Sequence, residues 1–117
     1  MVKIYVDGGT RGSRICMVDK TNDVTIVKTR GGNPTNNELE YLALLYALEY
    51  IKNRHGDEYV EIYSDSKLIV TQVNGEWRVT TESLLPLYEK CSKKMRDNYI
   101  LKWVSRKYNL AGHILEG

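Results

Sequence analysis

The chain has 117 residues, 42% hydrophobic and 27% charged, with a formal net charge of +2 at neutral pH. That length suits one domain, spanning residues 1–117, and the composition excludes collagen-like, disordered and low-complexity chains. No apolar run approaches the roughly 20 residues a bilayer requires, and the opening stretch MVKIYVDGG lacks the features of a secretory leader, so a monomer in the cytoplasm, away from membranes, is expected.

The first elements follow from a period of two. In KIYVDGG, Ile4 and Val6 point one way and Tyr5 and Asp7 the other, which predicts a strand ending in glycines. SRICMVD and DVTIVKTR, separated by the polar turn KTND, extend it into an antiparallel three-stranded meander. From Thr35 to Arg54 the period becomes helical. Thr35 and Glu38 form an S/T-x-x-E capping box, which gives Glu38 a structural task. Glu40, about 200° further round the axis, heads the stripe of Leu44, Ala47 and Ile51 that packs on the sheet. YVEIYSD is a fourth strand, parallel to the first after a helical crossover. Helices are then expected from Ser66 to about Asn74 and from about Glu82 to Asp97. A fifth strand, YILKWVS, leads to a final helical stub capped by Asn109.

Two strands end in aspartate, at Asp7 and Asp65. Parallel neighbours lie about 4.8 Å apart, so the two carboxylates come within reach of one cation, and Glu40 projects onto the same region. Three acids gathered without a cation repel one another and lose hydration. An all-oxygen set selects the hard ions Mg²⁺ or Mn²⁺ over Zn²⁺. No phosphate-binding G-x-x-x-x-G-K-[ST] loop and no G-x-S-x-G elbow occurs. Cys16 and Cys91 lie far apart and read as reduced thiols, and His55 at the end of the long helix neutralises its terminal dipole. Gly8 and Gly9, with Gly12, let backbone approach a sugar-phosphate; the same glycines equally suit a turn. From Tyr88 to Tyr108, seven cations (Lys90, Lys93, Lys94, Arg96, Lys102, Arg106, Lys107) stand against Glu89 and Asp97, a net of +5. Alone, such a run is a solvated face.

YVDGG, TNNELEYLALLYALE, IYSDSKLIVTQVNGEW and WVSRKYN, in that order, resemble the type 1 ribonuclease H family across essentially the whole chain. The resemblance implies an α/β ribonuclease H-like fold: a five-stranded mixed sheet, three strands antiparallel and the others parallel, with helices on both faces. It implies an endonuclease that cleaves the RNA strand of RNA–DNA hybrids with two Mg²⁺ ions, leaving a 5′ phosphate and a 3′ hydroxyl. The family's metal-binding acids fall on Asp7, Glu40 and Asp65. Thr35, Asn36 and Asn37 become candidate minor-groove contacts, although the asparagines also suit a helix cap. Trp77 and Arg78 become candidates for the DNA-strand channel, against a core place for Trp77.

The chain departs from the family pattern in three places. The family's fourth acid falls on His113, a weaker ligand for Mg²⁺ or Mn²⁺, with Glu116 one turn on as an alternative oxygen donor. The loop SRKYN lacks a histidine that helps product leave in some members. The basic insertion with which some members grip hybrid is missing, leaving the +5 segment as an electrostatic substitute. Two further readings stay open: a hybrid- or double-stranded-RNA-binding module with reduced or lost activity, and another nuclease on the same fold.

Overall fold

Alternation along the chain builds the sheet. In the computed structural model, which describes residues 1–117, β1 (Val2–Gly9), β2 (Arg14–Asp19) and β3 (Val24–Thr29) form the expected antiparallel meander. The period of two sends Ile4, Val6, Ile15 and Met17 into one cluster and Cys16 and Val18, with Tyr5, into another on the opposite face. Helix α1 (Asn36–His55) then crosses over, and β4 (Val60–Ser64) returns parallel to β1 with Val6 opposite Ser64. Helices α2 (Lys67–Val73) and α3 (Leu85–Lys94) precede β5 (Tyr99–Trp103), which pairs parallel with β4. The sheet order is β3-β2-β1-β4-β5. This is the α/β arrangement the sequence predicts.

The two faces are covered unequally. Leu39, Leu44, Ala47, Leu48 and Ile51 of α1 join α2 and α3 over a core of 20 buried residues, whereas α4 (Leu110–Glu116) shares a cluster of four with β2. At about 1.5–3 kcal/mol per large apolar side chain, the first face carries most of the stability. Hydrogen bonds supplement burial in seating α4, among them Arg14 Nη2 donating to the Leu115 carbonyl at 2.9 Å.

Helix α3 is shorter than its sequence suggests, starting at Leu85 and ending at Lys94. Pro86 has no N–H and sits best at the very start of a helix, and Met95 turns extended at the other end. A 3₁₀ turn, Arg106–Tyr108, was not anticipated. Both cysteines are free and buried, and burial pushes each thiol up to about 12, so neither is a thiolate near neutrality.

His55 does more than face a dipole. Its Nε2 lies 2.9 Å from Asp19 Oδ2 and its Nδ1 2.9 Å from Glu58 Oε1, tying the end of α1 to the end of β2. Burial opposes charging both groups. Hydrogen bonds from Asn22, His55 and Tyr50 nevertheless hold Asp19 below the usual carboxylate range, and Glu58 and Asp19 raise His55 above its ordinary 6.5. The Asp19 contribution is lost as pH falls through its depressed value, and the His55 contribution as pH rises through its raised one. His55→Gln is therefore expected to lower unfolding free energy most near pH 5–6, by about 1.5–3 kcal/mol, the worth of a hydrogen bond to a charged group. Denaturant melts across pH check this: a deficit that stays constant from pH 5 to about 9 rules out the charged pair.

Candidate active site

The two glutamates at the start of α1 divide as their spacing requires. Thr35 Oγ1 accepts from the Glu38 N–H at 3.2 Å, and Glu38 Oε1 accepts from the Thr35 N–H at 2.9 Å, completing the capping box. Glu40 points to the sheet, is buried, and accepts a hydrogen bond from the Gly8 N–H. That approach depends on Gly8 having no side chain. A Cβ there would stand 2.4 Å from the Leu39 carbonyl carbon and 2.7 Å from the Glu40 nitrogen.

Register brings the third acid in. With Val6 opposite Ser64, the next residues, Asp7 and Asp65, leave the parallel pair side by side. One carboxylate oxygen from each of Asp7, Glu40 and Asp65 lies within 4.8 Å of the others. Burial first, then the neighbouring Asp7, pushes Glu40 up to about 9. Burial likewise raises Asp7, to about 6, with Asp65 adding to the rise and the Glu40 hydrogen bond and Arg106 opposing it. Metal-free, the Asp7–Glu40 pair is driven by burial and mutual repulsion to share a proton near neutrality. A divalent cation held by Asp7, Glu40 and Asp65 would replace that proton and remove the repulsion, so the donor set and its electrostatics fit a hard metal ion.

Asn109, fully buried, fastens these elements together. Its Nδ2 donates to the Val6 carbonyl at 2.9 Å and to Asp65 Oδ2 at 3.0 Å, while its Oδ1 accepts from the Ala111 N–H and caps α4. Trp103 donates its indole N–H to the Asp65 carbonyl at 3.0 Å, and the Lys67 ammonium lies 4.8 Å from the centre of its ring. The α4 residue facing the acids is Gly112, where a Cβ would stand 3.5 Å from both Asp7 Oδ2 and Asp65 Oδ2. His113, one residue on, is exposed and outside the three-acid group. Glu116 is ion-paired with Arg106 at 2.6 Å. Sequence reading credited Asn109 only with its cap and gave no place to Gly112.

A family model described as reverse transcriptase-like matches residues 5–115. The structure of LC11-RNase H1, isolated from compost by a metagenomic approach, superposes with a TM-score of 0.81 at 30% identity, covering 97% of this chain and 91% of that one. The chain belongs to the type 1 ribonuclease H family. The same protein in complex with an RNA/DNA hybrid superposes at 0.79 with 27% identity, over 94% of this chain and 89% of that one. A bifunctional protein of Mycobacterium tuberculosis is 32% identical over 92% of this chain, which spans only 32% of that protein. The ribonuclease HI of Halobacterium salinarum is 36% identical over 65% of this chain and 41% of its own length.

For this ribonuclease H family member, the candidate substrate contacts occupy different kinds of place. Asn36 and Asn37 open α1 at the surface, and the cap bonds are made by Thr35 and Glu38 without their amides. Trp77 and Arg78 are exposed in the loop after α2, so Trp77 is not a core residue. Gly8 and Gly9 belong to β1 rather than to a turn; the missing side chain of Gly8 makes room for α1, while Gly9 has space beside Leu115. The +5 segment splits. Lys90, Lys93, Lys94 and Arg96 gather with Lys52 over Leu48 in a recess of about 350 Å³. Lys52 lies twelve residues beyond Glu40 on α1, roughly 18 Å along its axis, so these cations do not form one surface with the carboxylates.

Proposed function

We propose that the chain is a metal-dependent endoribonuclease that cleaves the RNA strand of RNA–DNA hybrids in the cytoplasm. The observation that carries this reading is the gathering of buried Asp7 and Glu40 with half-buried Asp65 within 4.8 Å, in a family whose relatives include a ribonuclease HI and an RNase H1 in complex with hybrid. Asp7, Glu40 and Asp65 are the residues that would hold Mg²⁺ or Mn²⁺. Two such ions, when bound, supply an activated water and neutralise the charge that develops on the scissile phosphate and the departing oxygen. The chain orients and dehydrates the acids: Gly8 holds Glu40 through its N–H, and Asn109 holds Asp65. His113, at the family's fourth-ligand position, stands exposed one residue after Gly112 and is the candidate to hold a second ion or its water. The exposed amides of Asn36 and Asn37 are free to bind the 2′-hydroxyls of the hybrid minor groove, with Thr35 beside them.

The test is cleavage of a labelled hybrid beside matched single-stranded and double-stranded RNA, with Mg²⁺, Mn²⁺ or chelator. Hybrid-selective cutting that needs metal and disappears in Asp7→Asn is expected. Tight hybrid binding with no cutting in either metal defeats the proposal and leaves a binding module in its place.

A further inference from the structure

Beside the three acids, on the α4 side, the surface sinks into a recess of about 250 Å³ lined by Asp7, Gly9, Arg11, Arg106, Leu115 and Glu116. Its two cations come from opposite ends of the chain: Arg11 from the exposed β1–β2 turn and Arg106 from the 3₁₀ turn before Asn109. Glu116 engages Arg106 through Nε at 2.6 Å, and neither terminal nitrogen of that guanidinium takes part in the bond. The Arg11 side chain has no ion-pair partner within the chain. An arginine braced through Nε presents a planar pair of N–H donors, the geometry that grips a phosphate through two parallel bonds.

We propose that Arg11 and Arg106 form a phosphate subsite next to the carboxylate cluster, and that its ligand is a backbone phosphate of the RNA strand neighbouring the one that is cut. This rests on the ribonuclease reading above. A strand whose scissile phosphate lies over Asp7 and Asp65 continues into the recess, because Asp7 lines both. The two guanidiniums also offset the field that three acids present to a polyanion, and Glu116 keeps Arg106 extended rather than collapsed onto Asp7. The subsite supplies, from the β1–β2 turn and the α4 entry, a grip on substrate that the cations around Lys52 are too distant to give.

The experiment compares the wild-type chain with Arg11→Gln, Arg106→Gln and Arg106→Lys in steady-state hybrid cleavage. Hybrid binding in chelator is measured in parallel by fluorescence anisotropy over a range of salt. Each Gln variant is expected to raise KM, and the dissociation constant in chelator, about 10-fold while leaving kcat within about twofold. Each should also flatten the slope of log affinity against log salt by about 0.7–0.9. Arg106→Lys keeps the slope but recovers only part of the affinity, because the paired donors are lost. Unchanged KM and slope in both Gln variants, or a loss confined to kcat, overturns the subsite. If Arg106→Gln loses its fold with the tie to Glu116, Arg11→Gln decides alone. Absence of metal-dependent hybrid cutting in the wild-type chain sinks the ribonuclease reading instead, and the chelator binding series then judges the subsite separately.

Discussion

Glu40→Gln is expected to reduce hybrid cleavage by roughly 10³-fold or more while making the metal-free protein more stable above neutral pH. Glu40 is pushed up to about 9 from its ordinary 4.5 by burial and by Asp7. Between those values the folded chain binds a proton that the unfolded chain has released, so stability falls as pH rises through this window. Glutamine has no proton to lose and still offers an oxygen to the Gly8 N–H, so the variant gains roughly 1–3 kcal/mol by pH 8 in chelator. Two residues away, Glu38→Ala should do the reverse, keeping cleavage and losing about 1 kcal/mol with its half of the capping box. Denaturant melts and a cleavage assay on both variants give the comparison. If Glu40→Gln cuts normally, or if its stability advantage is absent at pH 8, the electrostatic account of the cluster is wrong.

Gly8→Ala is expected to cost about 3 kcal/mol or more and roughly 10 °C of melting temperature, and to cut hybrid cleavage by about 10²-fold in the protein that remains folded. The added methyl would lie 2.4 Å from the Leu39 carbonyl carbon and 2.5 Å from its oxygen. Both atoms are backbone, so no rotamer change relieves the clash; α1 must move away from β1, and Glu40 moves with it. Gly9→Ala is the matched control. Its methyl would meet only Leu115 Cδ1, at 3.9 Å, and should change stability by no more than about 0.5 kcal/mol. Equal melting temperatures for the two variants would remove the steric explanation for Gly8.

What could be read from the residues was local and periodic. Thr35 and Glu38 announced a helix start because the capping box depends on residues three apart, and Ile4, Val6, Ile15 and Met17 announced a sheet face because strands alternate. Asp7, Glu40 and Asp65 could be brought together on paper because one crossover helix makes β1 and β4 parallel neighbours. Features that depend on non-local distances stayed hidden. The approach of α1 to Gly8, the proximity of Gly112 to two carboxylates and the bond from Asn109 to Val6 join parts of the chain with no shared pattern. The basic run from Lys90 to Lys107 looked continuous, but a turn and a strand separate its cations, and only Arg106 of them lines the recess beside Asp7.

The Asn109 amide spans 103 residues to reach the Val6 carbonyl and 44 to reach Asp65. Closing so long a loop carries an entropic cost that is recovered only once β1 and β4 are paired. Any loosening of the α4 segment is thus transmitted to the acids before it reaches the large core. Protection of the Ala111 region against amide exchange would fade in partly opened molecules whose α1 face is still packed, leaving a protein that keeps its shape and has lost its grip on one aspartate.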